Sequence, residues 1–86
     1  MTFKILIHKN AFSSVPNERK TQIKKAIIEL SDPLPGGNKG EIKGKSNVYR
    51  LKIGTYRVIY KIDFDSHEVL ITEIITAEQA HKKYGR

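Results

Sequence analysis

Residues 48–62 read Val48-Tyr49-Arg50-Leu51-Lys52-Ile53-Gly54-Thr55-Tyr56-Arg57-Val58-Ile59-Tyr60-Lys61-Ile62. Two alternating runs flank Gly54-Thr55, and glycine followed by another residue matches a two-residue type II′ hairpin turn. That turn fixes a register. Ile53 faces Tyr56, Lys52 faces Arg57, Leu51 faces Val58, Arg50 faces Ile59 and Val48 faces Lys61. Side chains alternate across a strand, so Tyr49, Leu51, Ile53, Tyr56, Val58, Tyr60 and Ile62 share one side. Arg50, Lys52, Arg57 and Lys61 go to the other, with Val48 and Ile59 between them. The tyrosines lie on the apolar side and are expected in the core.

Downstream, the turn Phe64-Asp65-Ser66-His67 leads to a further strand, Glu68 to Ile75. Its Val69, Leu70, Ile71, Ile74 and Ile75 predict apolar contact on both faces. The tail from Ala77 to Arg86 is short and polar and predicts a helical turn. Upstream, Leu34 to Gly44 holds one proline and four glycines among charged residues and predicts a loop. Before that loop, Ile23, Ala26, Ile27 and Leu30 fall at helical spacing, with Arg19, Lys20, Lys24 and Lys25 mostly opposite. The expectation is an amphipathic helix from Pro16 to Leu30, capped by Ser14, with Glu18 at the positive end of its dipole. Ser31-Asp32-Pro33 should end it. Asn10 to Ser14 has room for a short helical turn, and Phe3 to His8 reads as a first strand.

The whole chain is 86 residues, enough for one small core, so it is expected to form a single domain over 1–86. Hydrophobic residues make up 38% and charged residues 29%, the balance of an ordinary folded domain. There is no cysteine, which excludes disulfides, thiolate metal sites and cysteine nucleophiles. His8, His67 and His81 are far apart and lack metal-ligand spacing, so neither a metal nor a cofactor is expected. The N-terminal apolar run is broken by Lys4 and is too short for a signal sequence or a membrane span. The expected location is the cytoplasm, with no membrane partner.

Lys and Arg number 16 against 9 Asp and Glu, a formal net charge of +7 that favours an anionic partner. The excess is concentrated. Between Lys39 and Lys61 stand seven basic residues and one acid, Glu41. Lys52 opposite Arg57 places like charges across a strand pair, at a cost of about 0.2–1 kcal/mol. Two readings are open: a solvated outer face of a half-buried sheet, or a site whose crowding is relieved by a bound anion. Four same-sign charges on one patch favour the second. The helix cations Arg19, Lys20, Lys24 and Lys25 read more simply as a solvated face. His81 and Tyr84 lie in the tail beside Lys82 and Lys83, and that tail is placed to fold over the charged sheet face.

The signature Tyr49-Arg50-Leu51-Lys52-Ile53-Gly54-Thr55-Tyr56-Arg57-Val58-Ile59-Tyr60 resembles the RelE/ParE superfamily of toxin–antitoxin toxins, the RelE branch above all. The first strand, the helix with Ile23, Ile27 and Leu30, and the approach Lys39 to Gly44 extend that resemblance over almost the whole chain. It implies an α+β fold, a small domain with two N-terminal helices packed on a mostly antiparallel four-stranded sheet. It also implies a metal-independent, ribosome-dependent endoribonuclease that enters the A site and cuts translated mRNA, held in check by an acidic RelB-like antitoxin. By resemblance, Arg50, Lys52 and Arg57 hold the scissile phosphate, and one of the strand bases takes the 2′-hydroxyl proton. The family's C-terminal His-Arg-x-x-apolar-Tyr pattern is replaced here by Thr76-Ala77-Glu78-Gln79-Ala80-His81. His81 therefore stands where a Tyr is expected, with Tyr84 one turn later as a second candidate for proton transfer or base stacking. Lys43, Lys45, Lys61, Lys82 and Lys83 are the expected RNA-binding cations. Two alternatives share the fold: a ParE-type inhibitor of DNA gyrase, and an RNA- or ribosome-binding module without chemistry.

Overall fold

In the computed structural model, which describes residues 2–85, the chain doubles back at Gly54-Thr55. Gly54 has φ 54°, the left-handed value that a tight hairpin turn needs at its first central position. The flanking strands, β3 (Val48–Ile53) and β4 (Tyr56–Asp63), pair in the register read from the sequence, Lys52 opposite Arg57 included. Tyr49, Leu51, Ile53, Val58, Tyr60 and Ile62 are all buried, and Tyr56 packs at the core's margin. Tyr49 and Tyr60 stack with ring centroids 5.6 Å apart.

Around the hairpin stand β1 (Lys4–Ile7), β2 (Lys39–Glu41) and β5 (Glu68–Thr76), in the sheet order β1-β5-β4-β3-β2. The sheet thus has five strands where four were expected. It is mixed, because β1 runs parallel to β5 while the other pairs are antiparallel. The extra strand is β2, three residues in the glycine-rich segment read as loop. Little in Lys39-Gly40-Glu41 favours a strand. The open edge of β3 imposes it, pairing Gly40 with Arg50 and accepting the Lys52 N–H at the Asn38 carbonyl, 2.8 Å away.

The expected pair of N-terminal helices is also corrected. Only α1 (Asn17–Ile27) is N-terminal, continued by a 3-10 turn over Ile28–Ser31. The second helix, α2 (Ala77–Tyr84), is C-terminal. Residues 9–15 make successive turns, with Ala11 N–H bonded to His8 and Ser13 N–H to Asn10, too short a run before Pro16 to propagate a helix. Pro16, extended at φ −61° and ψ 147°, occupies the N-cap position expected of Ser14, and no side chain caps the helix. Its dipole is complemented by Glu18 in the first turn and Lys24 and Lys25 in the last.

Ile23 and Ile27 of α1, with Leu30 of the 3-10 turn, seal the apolar side of the sheet. The segment leaving them is tied down by the buried Tyr60 hydroxyl, which donates to the Pro33 carbonyl at 2.9 Å. On the opposite side a bulge between Ile59 and Tyr60 shifts the β4–β5 register, and the Thr72 hydroxyl donates to the Ile59 carbonyl at 3.2 Å. Bulges re-aim side chains and bend a strand. This one sits under α2, which packs on β4 and β5. Ile42, Ile59 and Ala80 are buried there, apart from the main core. The C-terminal tail therefore folds over the charged side of the sheet, as its sequence suggested. Arg86 lies outside the described residues.

Candidate functional site

The register places Arg50, Lys52, Arg57 and Lys61 on one side of two adjacent strands. Arg50, Lys52 and Lys61 are exposed and Arg57 is half-buried. Lys43 and Lys45, both exposed, lie between β2 and β3 beside them. Among the described residues the ion pairs are those of Lys82 with Glu78 and Lys83 with Glu73, so none of these six cations is paired with a carboxylate of its own chain. Such a surface carries a positive field available to an external anion.

The two arginines are held differently. One Arg57 guanidinium nitrogen donates to the Gly54 and Tyr56 carbonyls, both at 2.9 Å, which fixes the group near the hairpin tip beside Lys52. The Arg50 guanidinium instead lies across β2, over Gly40, where no side chain stands in its way.

A cleft of about 260 Å³ opens where β2, the hairpin and α2 meet, lined by Glu41, Ile42, Lys43, Arg50, Ile59, Ala80 and Tyr84. One wall is α2, whose start is a complete capping box: the Thr76 hydroxyl accepts the Gln79 N–H at 3.1 Å, and Gln79 accepts the Thr76 N–H at 3.0 Å. Its end is latched to β5. The Tyr84 hydroxyl donates to one Glu73 carboxylate oxygen, and the Lys83 ammonium donates to the other at 3.0 Å. Partial burial disfavours the Glu73 charge, but the Tyr84 and Lys83 hydrogen bonds and the Lys83 charge outweigh it, holding the carboxyl below its usual range. Burial and, after it, the hydrogen bond and charge of Glu73 push the Tyr84 phenol well above the usual tyrosine range.

The latch has a pH signature. A carboxyl lowered on folding stabilises above its unfolded value, near 4.5, and loses that stabilisation as the pH falls through the lower folded value. A phenol raised on folding stabilises below about 10 and fails as the pH rises further. Tyr84→Phe is thus expected to cost about 1 kcal/mol near pH 7. In thermal unfolding the gap between wild type and variant should close below pH 4.5. An equal gap once Glu73 is protonated in both states would show that the contact owes nothing to the Glu73 charge.

The structure brings Arg50 and Lys43 to the cleft with Tyr84, and sets Lys52 and Arg57 beside them on the same face. His81 is not brought in. It is exposed on α2, while Ala80 and Tyr84, four residues apart, turn to the sheet. Lys82 and Lys83 are engaged by acids at 3.8 and 3.0 Å. Among the described residues no three His, Cys, Asp or Glu side chains gather as metal ligands. Sequence reading missed Gly40, Glu73 and the small cluster Ile42–Ile59–Ala80. Ile59 was the available signal, an apolar residue in line with the basic ones.

The model of the ParE toxin family of type II toxin–antitoxin systems matches residues 6–81. A Methanocaldococcus jannaschii protein that carries the toxin name RelE1 is 31% identical over 88 residues, covering 95% of this chain and 98% of its own. Among solved structures, a double-arginine-to-alanine mutant of E. coli toxin RelE in the free state superposes with a TM-score of 0.74 at 20% identity, over 94% of this chain and 90% of that one. A chain of the intact E. coli RelBE toxin–antitoxin complex gives 0.71 at 18%, over 87% and 96%. The Methanococcus jannaschii RelB–RelE complex gives 0.64 at 20%, over 88% and 94%. At these identities the structural matches speak for the fold.

Proposed function

The chain belongs to the RelE/ParE superfamily of type II toxins, and from that premise we propose that it is a ribosome-dependent endoribonuclease cutting translated mRNA in the A site. The observation that carries the reading is the unpaired cationic face of β3 and β4, with Arg50, Lys52 and Arg57 on one side and a cleft at its border.

In the proposed reaction the 2′-oxygen attacks the adjacent phosphorus, the bond to the 5′-oxygen breaks, and a proton passes from the first oxygen to the second. The phosphorane that forms in between carries extra negative charge. Arg50 and Arg57 stabilise it most where it is greatest, which is how a fixed field accelerates a step. Arg57 is suited to this, because its carbonyl bonds hold it in place before the substrate arrives. Lys52, exposed between the arginines, completes the field or takes the 2′-proton. Tyr84 keeps its proton, which it donates in a hydrogen bond to Glu73, and serves as a cleft wall on which a base stacks. His81, on the exposed side of α2 and outside the cleft, carries a proton to the leaving oxygen only where the message also runs along that side of the helix. Lys43, Lys45 and Lys61 extend the phosphate-contacting surface, and Lys82 and Lys83 join it only by leaving their acids. The antitoxin is an acidic RelB-like protein. Fold relatives solved with RelB support this, as does the net charge of +7.

One observation favours a second reading, gyrase inhibition: the matching family model is that of the ParE toxins. Primer extension on translated mRNA after a pulse of expression decides between them. Cuts within codons are expected. Intact messages with DNA-damage signalling would give the gyrase reading, and intact messages with ribosome co-sedimentation a binding module without chemistry.

A further inference from the structure

Glycine occurs in a strand for one of two reasons: the backbone needs a φ that other residues avoid, or a neighbour occupies the side chain's place. Gly36, Gly37, Gly44, Gly54 and Gly85 have positive φ, and a methyl group on any of them would meet nothing within 4 Å. Gly40 is the reverse. Its φ is not positive, so alanine suits its backbone, yet a Cβ there would stand 2.6 Å from Arg50 Nη1, 3.3 Å from Cζ and 3.6 Å from Nη2.

The contact follows from the sheet. Gly40 and Arg50 are directly opposed on β2 and β3, and facing side chains share the space above their strands. The Arg50 side chain bends over the edge strand and lays its planar head on the bare Cα. That head lines the cleft with Ile59, Ala80 and Tyr84.

The geometry points to Gly40 as a positioning residue: it leaves empty the seat of the Arg50 guanidinium and so sets where that group meets the RNA phosphate. This rests on the proposed function but adds a residue the signature does not contain. The clash falls on the far end of a flexible side chain rather than on backbone. Gly40→Ala should therefore leave the fold intact and move the guanidinium off its seat.

The test is a double-mutant cycle with wild type, Gly40→Ala, Arg50→Ala and the double variant. Affinity for a short single-stranded RNA is read by fluorescence anisotropy, and the unfolding midpoint is followed alongside. Gly40→Ala is expected to weaken binding by roughly threefold to tenfold, the scale of one phosphate contact. With Arg50 already removed it should change nothing, and the midpoint should move little in either background. Wild-type affinity in Gly40→Ala would overturn the inference, as would an equal loss with and without Arg50, since a merely structural role acts in both. Wild-type affinity in Arg50→Ala would instead overturn the phosphate-holding role of Arg50, and the seat with it.

Discussion

Arg50→Ala and Lys52→Ala are each expected to slow mRNA cleavage on the ribosome by about 100-fold to 1,000-fold, the usual loss when one preorganised stabilising group is removed from a transition state. Neither should harm the fold. Both side chains are exposed, and no carboxylate among the described residues depends on them. Lys52→Ala even removes a like-charge pair, since Lys52 faces Arg57 directly, and should raise stability by a few tenths of a kcal/mol. A surface lysine kept only for solubility gives the opposite pattern, with cleavage unchanged. Single-turnover cleavage on programmed ribosomes, run beside thermal unfolding of the same preparations, separates the two. The double variant should lose less than the product of the single losses, because the proposed roles put the two groups on one phosphate.

Leu30→Ala is the substitution with the largest expected effect on stability. Leu30 is fully buried in the 3-10 turn that carries α1 onto the sheet, packed in the same cluster as Ile23 and Ile27. Truncation leaves a cavity that a short, proline-terminated turn cannot collapse to fill, so the cost is about 2–5 kcal/mol. For a chain of this size total stability is roughly 4–13 kcal/mol. The unfolding midpoint should therefore fall by roughly 10–30 °C. Ile28, two residues earlier and 68% exposed, is the control. Ile28→Ala should stay within about 0.5 kcal/mol of wild type, and equal losses at both positions would refute this account of the layer.

What the sequence disclosed depended on how local the cause was. The hairpin was legible residue by residue, because alternation and Gly54 fix both face and register over a dozen neighbours. The end of the helical run at Ser31 was legible from Pro33, but its change from α-helix to 3-10 turn after Ile27 was not. β2 was not, since Lys39-Gly40-Glu41 becomes a strand through hydrogen bonds offered by β3, ten residues away. The parallel pairing of β1 with β5 joins segments more than 60 residues apart, and nothing local encodes it. In the tail, Thr76-x-x-Gln79 is a capping-box pattern that marks a true helix rather than the single turn expected.

The candidate site divides in the same way. Arg50, Lys52 and Arg57 share a face because of hairpin register, which the sequence carries. Glu73 meets Tyr84 between β5 and α2, and Gly40 meets Arg50 across strands, so both contacts emerge only when the elements are assembled. His81 was singled out for the chemistry of imidazole, whereas helix phase turns Ala80 and Tyr84 to the cleft.

In the proposed chemistry this cationic face breaks RNA by using the message's own 2′-hydroxyl. Ribosomes carrying either an all-ribose message or one with a single 2′-deoxynucleotide at the mapped cut, incubated with the purified protein, test it most directly. Cleavage of the first within the A-site codon, and survival of the second at that position, is the predicted result. An intact all-ribose message, or equal cutting of both, would contradict it.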